Sequence, residues 1–410
     1  MTTERNIIPI ADEQLNREFT IYTAKTRHAK TWTRTPIRWR QFLAHVENPT
    51  RTWETMEQYQ EMPQAEKASV KDVGGFVAGE LREGKRKKGY VKNRCWLTLD
   101  ADHLTQSLEE FQESFSLLYD VEACIYTTHS STKEQPRLRL IVPLTRPVLP
   151  EEYEPLARQV ANTLGMDQFD DTTYEPNRLM YFPSCSSNGL GNYQGIRLRG
   201  RGFLNPDGVL QTYGNAYTTP EGERKEAWMD ASVWPTSSRE STLLTTEAKK
   251  QEDPLGKQGI VGLFCRAYYP IQSAIDTFLT GIYEASFGGK ANENSYPNRY
   301  SYLPGESRNG VVVYEDKFVY SHHETDPASH LLVNAFDLIR LHQFKDLDEG
   351  EGWEPETPDG RKRPVTASPS YKRMIQFCQD LPAVKEQLAK EHGWGESAGQ
   401  EFAYETEEEE

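Results

Sequence analysis

The chain predicts an α+β fold around one sheet in its first half, and three observations carry that expectation. Short apolar strands alternate with helix-period segments between residues 95 and 183. The second of the two helical segments carries its own start and stop signals. The most apolar strand ends in two aspartates at alternate positions, Cys-Trp-Leu-Thr-Leu-Asp-Ala-Asp, with Asp100 and Asp102 at its end.

Taken in order, Cys95–Leu99 reads as a buried strand. Residues 104–118 place Leu104, Leu108, Phe111, Phe115 and Leu118 at helical spacing. Ala123–Thr127 is a second strand and Arg137–Leu144 a third. Glu151–Leu164 is a helix, with Pro150 before it, acids in its first turn and Gly165 after it. Met180–Pro183 is a further strand or strand end. Strand–helix–strand–strand–helix–strand is an α+β layout.

A chain of 410 residues exceeds one ordinary domain. Residues 1–235 form the first domain. Residues 236–253 are polar and aperiodic and read as a linker. Residues 254–390 form a smaller, mostly helical domain. It has helices within Gly259–Ala285, at Ala335–His342 and near Tyr371–Lys390, and a hairpin of Gly310–Tyr314 and Lys317–Tyr320 turned at Glu315-Asp316. Residues 391–410 end in Glu-Thr-Glu-Glu-Glu-Glu and read as an acidic disordered tail.

Composition narrows the function classes. No run of 18 apolar residues spans a membrane, no signal-peptide core follows the first methionine, and five scattered cysteines form no CxxC pair. A reducing, cytoplasmic setting is expected. No cysteine accompanies His322, His323 and His330, so a structural zinc is not expected. The net charge of −15 is uneven: residues 1–200 hold 26 Lys+Arg against 27 Asp+Glu, and the remainder 21 against 35. The first half can therefore carry a local basic surface. Its basic run Lys85-Arg86-Lys87-Lys88, shortly before the Asp100 strand, is a candidate contact for a DNA template.

In a strand, positions i and i+2 share a face, so Asp100 and Asp102 sit side by side and need a compensating charge. A divalent cation with oxygen preference, Mg²⁺ or Mn²⁺, is the usual answer. Arg137 and Arg139 share one face of the third strand, after a loop that holds His129. Asp170 and Asp171 supply a further carboxylate, with Asn177 and Arg178 a few residues on. Carboxylates for two cations, and arginines for a triphosphate, are the inventory of two-metal phosphoryl transfer. A glycosyltransferase also carries Asp-x-Asp, but leaves Asp170 to Arg178 unexplained.

The order Asp-x-Asp, then Arg137-Leu138-Arg139 where Ser-x-His is usual, then Asp-x3-Tyr-x2-Asn-Arg resembles the archaeo-eukaryotic primase superfamily, which includes primase-polymerases. More closely, it resembles primases of phages and prophages that accompany, or are fused to, a virulence-associated E type helicase. Lys71–Val77, Leu97–Asp102, Arg178–Ser184 and Tyr320–Pro327 carry this likeness. The resemblance implies a catalytic domain with a mixed sheet and an RRM-like core. It implies Asp100, Asp102 and Asp170 as metal ligands, with Asp171 a rival for the third place. Arg137, Arg139, Arg178 and Asn177 are its nucleotide-binding candidates. Either Arg139 replaces the superfamily's histidine or His129 swings in. The implied partners are single-stranded DNA, NTP or dNTP, and a helicase, since the chain has no GxxxxGK[ST] motif of its own. The alternative is a non-catalytic protein that keeps the fold and binds single-stranded DNA or the helicase.

Overall fold

The computed structural model describes residues 12–218, 222–242, 251–286 and 296–392, apart from 351, 356, 358–360 and 362. The chain divides into two compact units, Met1–Ser241 and Thr242–Glu410. Among the described residues no helix is long and apolar enough to cross a membrane.

In the first unit β1 (Glu18–Ala24) and β2 (Thr33–Arg38) form an antiparallel hairpin. β3 (Thr50–Arg51) is short, and β4 (Gly75–Val77) and β5 (Gly79–Leu81) flank Ala78. β6 (Val91–Ala101), β7 (Ala123–Thr127) and β8 (Leu138–Val148) follow, then β9 (Met180–Tyr181), β10 (Ser184–Cys185) and β11 (Gly195–Leu198). A small pair, β12 (Tyr217–Thr218) and β13 (Arg224–Lys225), comes last. One sheet runs β2-β1-β4-β9 and another β11-β7-β8-β6-β5.

The helix Leu108–Tyr119 joins β6 to β7, and β8 inserts between them. This is a split strand–helix–strand arrangement. It corrects the expected mixed sheet. β6 and β7 run the same way but never become neighbours, so every pairing in this sheet is antiparallel. The helix starts at Leu108, later than the apolar spacing suggests, because Ser107 caps it. Ser107 Oγ accepts from Glu110 N and the Glu110 carboxylate accepts from Ser107 N.

Both faces of the five-stranded sheet are covered. On one, Leu97 and Leu99 of β6 and Leu138 and Leu140 of β8 pack beneath Phe111 and Phe115 and beneath Tyr153, Leu156 and Val160 of the helix Pro150–Leu164. On the other, Trp96, Tyr126 and Ile141 meet Phe19, Trp39, Phe42 and Phe76. Double coverage is why β6 reads as a continuous apolar run instead of an alternating one.

Residues 236–241 correct the expected linker. Buried Arg158 pairs with Glu154 at 2.9 Å and with Glu240 at 2.8 Å, and Ser238 donates to Asp167. The polar residues that suggest a linker are hydrogen-bonding partners of the first unit. The continuation of the expected linker over 243–250, and the expected acidic tail from 393 on, lie outside the described residues. Residues 391 and 392 finish a helix.

The second unit carries more strand than its sequence pattern predicts. β14 (Tyr283–Ala285), β15 (Arg299–Tyr302), β16 (Val311–Tyr314), β17 (Phe318–Ser321) and β18 (Leu332–Asn334) form an antiparallel sheet in chain order. The expected hairpin is β16–β17, and Glu315 and Asp316 take the left-handed φ values of 54° and 53° that a tight hairpin turn requires. Helices Gly259–Ala267, Ile271–Phe278, Ala335–Phe344 and Pro369–Asp380 contribute to one apolar core with the sheet. Inside it, Asp326 accepts from the Tyr283 hydroxyl at 2.6 Å and pairs with His342 at 3.1 Å. Burial opposes the charge of Asp326. Bonds from His342, Tyr283 and Ser321 outweigh it and hold the carboxyl below its ordinary value.

A depressed carboxyl pKa stabilises the fold above the unfolded value of about 3.9, and that contribution is lost as pH falls through the lower folded value. Asp326→Asn is therefore expected to cost about 3 kcal/mol at pH 7, with the deficit shrinking in acid. Urea unfolding of the full chain at pH 7 and pH 3 checks this, and a deficit equal at both would contradict it.

Candidate functional site

The pairing of β6 with β8 builds the site. Asp100 lies opposite Arg139 and Ala101 opposite Leu138. Asp100 and Arg139 are both buried, with the carboxylate 3.5 Å from the guanidinium. One pleat further on, Asp102 lies 3.8 Å from Arg137. Across β7, Tyr126 is the next partner of Arg139, and its hydroxyl donates to Tyr181 O at 2.8 Å. A period of two thus sets two acids and two bases on the end of one sheet.

The Asp170 loop is stitched to the same strand end. Asp170 N donates to Asp100 O and Asp100 N donates to Thr173 Oγ1, both at 2.9 Å. The Asp170 carboxylate caps the turn Asp171–Tyr174 by accepting from Thr172 N, and it pairs with Arg178 at 3.0 Å. The neighbouring Asp171 is engaged elsewhere, accepting from Ser237 Oγ at 2.6 Å with Arg239 at 3.7 Å. Of the two rivals, Asp170 is the one that faces Arg178.

The electrostatics differ from acid to acid. Burial pushes the Asp100 carboxyl above its ordinary value, against the pull of Arg139 and with the repulsion of Asp102 and Asp170. Its Oδ1 is buried and accepts no hydrogen bond. Burial also works against Asp170, but Arg178 and Thr172 outweigh it and hold that carboxyl low. Each acid is matched to its own arginine. Among the described residues, Asp100, Asp102 and Asp170 do not bring one oxygen each within 4.8 Å of one another.

His129 is not reaching into this group. Its Nδ1 lies 3.0 Å from Ser184 Oγ and its Nε2 2.9 Å from the buried Glu54 carboxylate, with Tyr59 edge-on to the ring. Burial lowers its pKa despite Glu54. Asn177 keeps its side-chain oxygen buried and without a hydrogen-bond partner.

The basic run splits. Arg86 is folded in, over the Trp32 ring at 5.3 Å and donating to Asn177 O and Arg27 O. Lys85 pairs with Glu83, and it and Lys87 lie over Tyr90. Lys87 is exposed and Lys88 half-buried. Of the aromatic residues upstream, Trp32 and Trp39 are core, whereas Trp53 is 69% exposed.

The roles of two residues escaped sequence reasoning. Arg94 is fully buried, donates to Ala78 O, Pro176 O and Thr98 Oγ1 and stacks over Tyr153, so it clamps the Asn177–Arg178 loop onto β6. The only signal for it is a charge inside an apolar strand. Lys71 sits at the C-terminal cap of the helix Gln64–Val70, with its ammonium 5.9 Å from the centre of the Tyr181 ring. In sequence Lys71 only opens the segment Lys71–Val77 that carries the family likeness, with no role assigned to it.

The profile described as the VapE N-terminal domain matches residues 5–237. No curated protein matches the chain. Among solved structures, the AEP domain of the cyanophage S-2L primase-polymerase is similar at 14% identity, over 42% of this chain and 94% of that one, with a TM-score of 0.28. The family profile spans more than half of the chain and takes in every acid and arginine of the site, so the chain belongs to the VapE N-terminal domain family.

Proposed function

We propose that the first unit is a template-directed nucleotidyltransferase, a primase with or without DNA polymerase activity, serving phage-type DNA replication. The observation that carries this is the set of three acid–arginine pairs, Asp100–Arg139, Asp102–Arg137 and Asp170–Arg178, at one end of the β6–β8 ladder.

The donor set fits a hard divalent cation. All three acids offer carboxylate oxygen, and Asp100 Oδ1 is a buried acceptor with nothing to accept from. Asp100, Asp102 and Asp170 would hold Mg²⁺ or Mn²⁺. Bound there, the cations supply activation of an attacking 3′-hydroxyl and charge neutralisation at the phosphates. Arg137, Arg139 and Arg178, relieved of their carboxylates, bind the triphosphate with planar forked donors. Arg139 fills the superfamily's histidine role, because His129 is already engaged on both ring nitrogens. The unpartnered Asn177 oxygen can accept from a sugar hydroxyl or a base. Lys85, Lys87 and Lys88 offer the template strand a basic loop, with Arg86 as its anchor to the fold. The partners are single-stranded DNA, an NTP or dNTP, and a virulence-associated E type helicase.

Template-dependent synthesis with NTPs and dNTPs supplied separately, in Mg²⁺ and in Mn²⁺, tests the reading. Binding of single-stranded DNA without synthesis in either metal would favour a non-catalytic role instead.

Asp100→Asn and Asp102→Asn are each expected to reduce incorporation by about a thousand-fold. Their circular dichroism and melting temperature should stay near those of the wild type, because removing one of several crowded carboxylates also relieves repulsion. Wild-type rates in a folded double variant would refute the metal assignment.

Arg139→Ala is expected to raise the apparent nucleotide KM roughly tenfold or more, in line with one charge-assisted contact. His129→Ala should change it far less. Steady-state extension of a pre-annealed primer reads both, and the reverse ranking would hand the phosphate contact to His129.

A further inference from the structure

Among the described residues, one cation of the site is in contact with no carboxylate. Arg137, Arg139 and Arg178 each face a carboxylate. The Lys71 ammonium, half-buried beside them, makes no hydrogen bond or ion pair among the described residues. It lies over the Tyr181 ring, which is also flanked by Arg139 at 5.5 Å.

This position is built, not incidental. Lys71 N closes the helix on Lys67 O at 3.2 Å. The next residue, Asp72, accepts from Arg27 N with both carboxylate oxygens, at 3.1 and 3.0 Å. Phe182 N donates to Gly74 O at 3.1 Å, and Gly75 pairs with Tyr181 in the β4–β9 ladder. A Cβ at Gly75 would fall 2.7 Å from Met180 O, so only glycine lets β4 lie this close to β9. The turn that carries Lys71 is therefore held through Asp72 by the Arg27 backbone and through Gly74 and Gly75 by the strand that carries Tyr181. Burial, and then the like charge of Arg139, lower the Lys71 pKa, against the pull of Asp102 and Asp100. A cation held where its charge is costly, on an anchored turn, is prepared for an anion from outside the fold.

We infer that Lys71 binds the triphosphate of the incoming nucleotide, on the Tyr181 side of Arg139. The inference rests on reading this site as a nucleotidyl-transfer centre. Its shared chemistry, an anionic phosphate, could also come from the backbone of a template strand, and the experiment separates the two.

Isothermal titration of the full chain with inorganic tripolyphosphate, and separately with a single-stranded oligonucleotide, needs no turnover. Lys71→Ala and Lys71→Gln are expected to weaken tripolyphosphate binding roughly tenfold or more, to leave oligonucleotide affinity within twofold, and to be rescued in large part by Lys71→Arg. Under the same reading, the apparent nucleotide KM in primer extension should rise in parallel. Unchanged tripolyphosphate affinity in both folded variants overturns the role of Lys71 while leaving the proposed function intact. A loss confined to the oligonucleotide also overturns it, moving Lys71 to the template path. Wild-type protein that binds tripolyphosphate but makes no polymer in either metal removes the proposed function and leaves the anion site standing. Wild-type protein that binds no tripolyphosphate overturns both.

Discussion

The buried pair of Asp100 and Arg139 sets the terms for the rest of the site. Two opposite charges taken from water into a sheet lose hydration that their attraction only partly returns. At 3.5 Å, with one carboxylate oxygen left without a partner, this pair is not optimised for its own sake. Burial wins over the arginine at Asp100 and pushes its carboxyl up. A pair built only for stability would close the distance and satisfy both oxygens, as Arg146 does with Glu152 and Asp207 at 2.6 and 2.5 Å. Looseness in a buried pair is a cost that the fold carries elsewhere, in the apolar packing on both faces of β6 and β8.

That packing explains how the acids come to be aligned. Tyr153 and the Leu97–Leu99 face fix β6 from one side, and Trp96 among Trp39, Phe42 and Phe76 fixes it from the other. With the strand immobile, two hydrogen bonds of the Asp100 backbone, one accepted from Asp170 N and one donated to the Thr173 hydroxyl, are enough to bring the third acid to its end. Arg94 adds the last restraint. One ammonium could not reach the two carbonyls and the hydroxyl that its guanidinium satisfies together. The site is thus held from beneath by side chains that touch no part of it.

What was legible in the sequence follows from range. Asp100 with Asp102, and Arg137 with Arg139, were legible because a strand's period of two is a local property. The helix Pro150–Leu164 and the strand Ala123–Thr127 were legible because their signals lie within a dozen residues. The sheet β2-β1-β4-β9 was not, since β4 and β9 are three and two residues long and owe their existence to partners far along the chain. In the second unit β14, β15 and β18 were missed for the same reason: only the hairpin has both strands next to its turn. Residues 236–241 read as a linker because Arg158, their partner, lies some eighty residues earlier. His129 remained ambiguous because Glu54, which fixes it, is 75 positions away.

The charges of the site make a further argument about what it can accommodate. Asp100, Asp102 and Asp170 oppose Arg137, Arg139, Arg178 and Lys71. A cation bound alone would draw the acids together and strand three arginines. A triphosphate bound alone would draw the arginines away and strand three acids, one of them buried. Only a ligand that brings both signs lets every pair part and every member find a new partner. The metal-bound nucleoside triphosphate of the proposed function has that property, and an excess of one basic side chain over the acids would suit its residual negative charge. Without such a ligand the arginines keep the acids from repelling one another, so the same contacts that preserve the fold also hold each group within reach of the partner that the proposed function gives it.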